Sequence, residues 1–281
     1  MAIKLKGLSP KLTAFLADCS FPCDVTGPGT VQLVMLRGCR ATDKDLRVQP
    51  TKRDQYSDVL VAYGLKGNGD PFLATFRASA RPGAYWVDHP SYTEARGCPT
   101  LQPGQYLYQR GLHKGRKAMV QAGRVVVWRD ADDDWQLDLE EALRPDYSAT
   151  AINIHAGGTN ISIGIWSSGC QIVWGGWGGT PWLTFRDLVY RVASEQKLFS
   201  YTVIDYAMLC EWWNAPEGKK PQWLLYGSVG QQVTRLQNVL MEYGWLRANH
   251  VTGKFDPDTD LAVRRRQEFD GVNVTTGIVR L

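Results

Sequence analysis

Two side chains near the middle of the chain have the types and spacing for nucleophilic chemistry. His155 ends the strand-like run Asn153-Ile154-His155-Ala156-Gly157-Gly158, and Cys170 follows the turn Trp166-Ser167-Ser168-Gly169. An imidazole beside a thiol is the minimal unit of cysteine catalysis, because the thiolate attacks and a nearby His favours its formation. The run Ile161 to Trp166 reads as a second strand, and a Gly-rich loop between neighbouring strands brings the two ends together. A Gly before the nucleophile lets the backbone bend, so that the Gly169 and Cys170 N–H groups could point at a developing oxyanion. Ser167 and Ser168 belong to the same catalytic turn. Gly157, Gln171, Trp174 and Trp177 flank the pair and are candidate substrate contacts, as is His113 from a polar loop upstream. Trp174, Trp177 and Trp182 sit on a Gly-dense loop and are costly to leave in water. They either line a cleft beside Cys170 or fold back over the core.

A second cluster suits a cation. Asp130, Asp132 and Asp134 stand at alternate positions, with Asp138 and Glu141 further on. That is the ligand spacing of a calcium loop of the EF-hand type, in which carboxylates wrap a hard ion. Trp135 stands where such loops need Gly, and Pro145 ends whatever helix Asp138 starts. The candidate ion is structural calcium, with a solvated acidic turn as the alternative; the chemistry at Cys170 requires no cofactor. Cys19 and Cys23 are close in sequence, but no His or Cys pair stands at a spacing that completes a metal site.

The elements that must position these groups are mostly strands. Ser9-Pro10 opens a short helix with Leu12, Phe15 and Leu16 on its apolar face. Val31 to Leu36 is a strand, and Asp58 to Leu65 and Pro71 to Ala78 flank the hairpin turn Lys66-Gly67-Asn68-Gly69. Arg81 to Trp86 reads as a turn entering a strand, and Gly104 to Tyr108 and Ala118 to Trp128 supply further strand material. Thr184 opens an amphipathic helix with Leu188, Val189 and Val192 inside, before a closing strand from Phe199 to Tyr206. The expected fold is α+β: a β-rich domain over residues 1–210, a docked linker over 211–226, and a small all-α domain over 227–281. In the last, Val233, Leu236, Leu240 and Tyr243 recur at helical spacing up to Gly244, and a second helix carries Ala262, Val263 and Phe269.

The pattern His-x-Gly, a short gap, then Ser-x-Gly-Cys resembles the catalytic signature of the L,D-transpeptidases of peptidoglycan. The resemblance implies a β-rich catalytic domain with His155 as base, Cys170 as nucleophile and the Gly169–Cys170 backbone as oxyanion hole. Pro82, Gly83 and Tyr85 are similar to a Thr-Pro-x-Gly-x-Phe segment upstream in that family. After the Cys the family has an aliphatic residue and then Arg or Asn, whereas this chain has Gln171 and Ile172. That departure bears on recognition of a substrate carboxylate, and so on transpeptidation as opposed to hydrolysis. Residues 227–281 resemble the three-helix peptidoglycan-binding domain through Leu236-Gln237, Gly244, Gly253, Phe255, Asp256, Thr259, Ala262-Val263, Gln267, Phe269 and Gly277. The basic run Arg264-Arg265-Arg266 departs from it and reads as a solvated face, or as one that approaches wall carboxylates or phosphates. Asp18-Cys19-Ser20 resembles the nucleophile neighbourhood of papain-like cell-wall peptidases, but Phe21-Pro22 starts no helix there.

A net charge of +4 over 281 residues is too slight and dispersed for nucleic-acid binding. The six cysteines are scattered, without a disulfide framework. No stretch suits a membrane span, and the residues after Met1 lack the apolar run of a signal peptide. The expectation is a monomer made in the cytoplasm that reaches the periplasm or wall by release, virion delivery or injection. Its expected partner is peptidoglycan. Its expected activity is that of a phage lysin-like cysteine peptidase cutting stem-peptide bonds. The alternatives are a transpeptidase and a non-catalytic wall-binding or virion structural protein.

Overall fold

Two segments, Thr30–Arg37 and Asp58–Leu65, are buried at nearly every position, as strands are when both faces are covered. The computed structural model describes residues 1–89, 97–132, 134–135 and 138–281. The first half of the chain forms β1 (Ala2–Lys4), α1 (Leu8–Asp18), β2 (Thr30–Arg37), β3 (Cys39–Ala41), β4 (Asp45–Val48), β5 (Asp58–Leu65), β6 (Pro71–Ser79) and α2 (Ala84–Val87). There follow β7 (Cys98–Leu101), β8 (Gly104–His113), β9 (Arg116–Gln121), β10 (Val127–Asp130), α3 (Leu139–Ala142), β11 (Ile154–Ala156), β12 (Gln171–Val173) and α4 (Thr180–Asp187). The chain ends with β13 (Leu198–Asp205), α5 (Tyr206–Asn214), β14 (Trp223–Leu224), α6 (Gln231–Glu242), α7 (Pro257–Phe269) and β15 (Val279–Arg280).

Eight strands close a barrel in the order β11-β12-β6-β5-β2-β13-β8-β9. Pairs β11/β12 and β2/β13 are parallel and the others antiparallel. Because side chains alternate across a strand, Leu33, Met35, Leu60 and Ala62 fill the barrel, where Trp182 and Phe185 of α4 join them. Val34, Leu36, Val59 and Val61 face outward into a second core under α1 and α5, built with Phe15, Leu16, Leu209 and Trp212.

Local chemistry moves several expected boundaries. Helix α1 begins at Leu8 behind Gly7, which is left-handed (φ 78°), so the Ser9 hydroxyl does not cap it. Helix α4 starts at Thr180 with Pro181 in its first turn rather than at Thr184, and continues as a π-turn over Leu188–Val192. The segment 161–166 is not a strand: Ser162 makes a lone bridge and Gly164–Trp166 is a 3-10 turn. Gly164 is left-handed there, and Ile161 and Ile165, which a sheet face would bury, are exposed. Residues 84–87 form a helical turn rather than a strand, and the run 118–128 divides into β9 and β10.

Helix α5 runs through the expected domain boundary at residue 210, and Trp212 and Trp223 of the linker are buried in the outer core. Beyond it, α6 and α7 pack on Leu224, Val233, Leu240, Phe255, Ala262 and Val263. The element between them is a single 3-10 turn, Ala248–His250, and β15 returns to pair with β14. Tyr243 and Phe269, expected inside, are 68% and 72% exposed, with the Arg266 guanidinium over both rings. The basic run is likewise not one solvated face, since Arg264 is buried.

Candidate active site

His155 and Cys170 meet because β11 and β12 are parallel neighbours. Their register sets His155 opposite Ile172, and the Gln171 N–H donates to the Asn153 carbonyl at 2.8 Å. Parallel strands need a crossover, and the one here carries the 3-10 turn. Within β11, Ile154 and Ala156 fill the barrel, and the strand's alternation turns His155 to the other face. The turn before Cys170 is held by Ser167, whose hydroxyl donates to the Cys170 carbonyl (2.7 Å) and accepts from the Gly169 N–H (3.0 Å). Gly169 has φ 140°, and a Cβ there would lie 2.8 Å from the Pro99 carbonyl oxygen, so no other residue fits. The Pro82-Gly83 segment docks on the same turn through the Gly83 N–H and Ser167 carbonyl, 2.8 Å apart.

Both side chains are buried, His155 to 3% exposure and Cys170 to 9%. The His155 Nδ1–H donates to the Ala156 carbonyl at 2.8 Å, which leaves Nε2 as the proton acceptor. His113, at the end of β8, lies parallel to His155 at 4.2 Å between ring centroids, and Trp177 stacks on His155 at 5.8 Å. The Asn153 side-chain amide donates to His113 Nδ1 at 3.1 Å, so the His113 proton sits on Nε2. Burial, reinforced by His113, pushes the His155 imidazole down to about 4. Burial also lowers His113, with Lys114 adding to the effect. Burial raises the Cys170 thiol, against the opposing pull of the Asn153 backbone and Lys114. The resting pair at neutral pH is therefore thiol and neutral imidazole. The thiol itself donates to the Ala151 carbonyl at 3.3 Å, and Ala151 is left-handed with φ 58°.

A cleft of about 280 Å³ opens beside the pair, lined by His113, Lys114, Arg129, His155, Trp166, Ser168, Gly169 and Cys170. Of the expected catalytic residues, Ser168 faces this cleft and Ser167 lies buried beneath it as the staple of the turn. The Gly169 N–H is already given to Ser167, so of the two expected oxyanion donors the Cys170 N–H is the one left. Three expected substrate contacts lie elsewhere. Gln171 is fully buried, where its side-chain oxygen accepts from the Tyr201 hydroxyl at 3.0 Å. Gly157 is buried against the Tyr56 hydroxyl, which accepts the Gly158 N–H at 2.8 Å. Trp174 packs behind Cys170 with Tyr56 and Ile172, and its indole N–H goes to the Thr159 and Asn160 carbonyls. Trp177 joins the site as a stacking platform and His113 as a direct neighbour. Lys114, Arg129, Asn153 and Trp166 were not singled out from sequence. For Lys114 the signal is the turn His113-Lys114-Gly115-Arg116, whose central residues are both left-handed (φ 49° and 77°) and so return the hairpin to His155.

Cys170 Sγ and one nitrogen of each histidine lie within 4.8 Å of one another. The stacking opposes a shared metal ion, however. A metal lies in the plane of each imidazole that binds it, and two planes 10° from parallel with centroids 4.2 Å apart do not meet at one point between the rings. The acidic residues form a separate group on β10 and the loop after it, with Asp130, Asp132 and Asp134 oxygens within 4.8 Å of one another.

The residues shared with the wall-binding pattern make one polar knot. Gln237 is fully buried; its side-chain oxygen accepts from the Thr252 and Gly253 N–H groups, and its amide donates to the Thr259 hydroxyl and the Lys254 carbonyl. Asp256 caps α7 by accepting from the Thr259 N–H at 3.0 Å, with Pro257 in the first turn. No curated protein and no solved structure matches the chain. A family model for a peptidoglycan binding domain matches residues 229–279, so the chain carries a C-terminal peptidoglycan-binding domain, which points to association with the cell wall.

Proposed function

We propose that the barrel is a peptidoglycan-active cysteine enzyme of L,D-transpeptidase type, acting lytically on stem-peptide bonds. The observation that carries the reading is the pairing of His155 and Cys170 at adjoining ends of β11 and β12, facing a cleft in a chain that also carries a peptidoglycan-binding domain. Cys170 Sγ attacks the scissile carbonyl while His155 Nε2 takes the thiol proton, the Ala156 carbonyl holding the ring in the right tautomer. The Cys170 N–H receives the oxyanion. His155 returns the proton to the leaving amine, and water then cleaves the thioester; an acceptor amine in its place gives transpeptidation. The Arg that the family carries after its Cys has a substitute in kind, since Lys114 and Arg129 supply cations to the cleft.

A wall-binding protein with an inert pair is the competing reading, favoured by a thiol that is buried and bonded to Ala151. Purified sacculi decide between them. The wild-type chain is expected to release soluble muropeptides, and Cys170→Ala to release none while still binding sacculi. Release unchanged by that substitution defeats the catalytic reading.

A further inference from the structure

The loop between β10 and α3 has the makings of an ion site independent of Cys170. Asp130, Asp132 and Asp134 converge at alternate positions, their oxygens within 4.8 Å. Trp135, which stands where a calcium loop turns sharply, adopts the required left-handed conformation (φ 70°) although it is not Gly. The separate observation is Glu141. It is 7% exposed; its Oε1 accepts the Ala131 N–H at 2.5 Å, which sets the carboxylate beside Asp130, and Asp138 is a second acidic neighbour. Its Oε2 is buried with no hydrogen-bond partner among the described residues. A buried carboxylate oxygen left bare among other carboxylates is costly unless a cation meets it. Ala131, Asp132, Asp138 and Glu141 line a cleft of about 320 Å³ at this point.

We infer that this loop binds calcium, with Asp130, Asp132 and Asp134 as ligands and Glu141 closing the site through Oε2. All-oxygen donors select a hard cation, and an irregular arc of carboxylates suits calcium better than magnesium, which demands near-octahedral geometry and keeps its waters. The ion would have a structural consequence. Glu141 lies in α3, whose Ala142 carbonyl accepts from Arg264 of the wall-binding domain at 3.1 Å. Filling the site therefore secures the short helix on which that domain leans.

Trp135 makes the test direct, because an indole in the loop sensitises bound terbium. The metal-stripped full-length chain, titrated with terbium and excited in the indole band, is expected to give saturable emission that calcium displaces and equimolar magnesium does not. Glu141→Gln and Asp132→Asn are each expected to weaken terbium binding about tenfold or more. Asp132 is exposed, so its variant tests the site without disturbing the core, and retained sacculus binding checks the fold of both. If Arg129 and Arg144 on the cleft wall already satisfy the acids, no emission appears and the site is refuted. Emission undiminished in both variants, or displaced equally by magnesium, also overturns the assignment.

Discussion

His155 gives up its hydration on folding and gains a second imidazole at 4.2 Å, and both changes disfavour its charged form. Its folded pKa of about 4 lies below the ordinary 6.5 of the unfolded chain. Between those values the unfolded state binds the extra proton, so stability is full above pH 6.5 and falls as pH drops toward 4. The shift corresponds to about 3 kcal/mol. Urea unfolding at pH 7 and pH 4.5 should show a large acid loss in the wild type and a markedly smaller one in His155→Gln. Equal losses in the two proteins would show that burial of this ring is not the cause. At the same scale lies the reason that two of the expected contacts do not line the cleft. Gln171 and Trp174 follow Cys170 closely along the chain, which is what makes them read as substrate contacts from sequence. Adjacency along a strand says nothing about which face a side chain takes, and β12 sends Gln171 into the barrel interior.

Among the elements, the β8–β9 hairpin is the one whose contribution was least legible. Its strands are legible in part, yet its turn reads only as a polar loop, because nothing local reveals that β9 is the strand that closes the barrel on β11. That closure is a long-range pairing, and it alone carries His113 and Lys114 to Cys170. The hairpin that turns at Lys66 to Gly69 is legible, since both of its strands and its turn are local. Arg129 in the cleft is engaged by Asp146 at 2.8 Å and by the Gly97 carbonyl at 2.9 Å, which leaves Lys114 as the cation better placed to take a substrate carboxylate. Lys114→Gln keeps the length and removes the charge. It should lower kcat/KM about tenfold or more for muropeptides with a free stem carboxylate and leave amidated ones nearly unchanged, since a charge-assisted bond contributes roughly 1.5–3 kcal/mol. Equal loss on both substrates would point to a damaged turn instead of a lost contact.

For the whole molecule, the two parts of the chain are joined by a built seam and not by a tether. The wall-binding pattern was readable because its residues bond to near neighbours in sequence. The seam was not, because it unites groups more than a hundred positions apart. Ser228 donates its hydroxyl to the Cys19 carbonyl at 2.7 Å, and the Gln105 N–H donates to the Tyr226 carbonyl at 2.9 Å. Its centre is Arg264, 2% exposed, which bonds Asp260 (2.7 Å), the Thr275 carbonyl (2.7 Å) and the Ala142 carbonyl (3.1 Å). Tyr147 completes the group by donating its hydroxyl to Asp260 at 2.7 Å. Removing one member of such a buried pair strands the other charge and costs about 3–5 kcal/mol, more than the pair's net contribution. Arg264→Met should therefore destabilise the full chain by that amount in urea. Arg264→Lys should restore little, because a point charge cannot span two carbonyls and a carboxylate as the guanidinium fork does. Adding Asp260→Asn to Arg264→Met removes the stranded charge, so the double variant should be less destabilised than the sum of the single ones. Strict additivity would mean that the two residues do not act together, and that the wall-binding domain is held to the barrel by its backbone contacts and β14–β15 pairing instead.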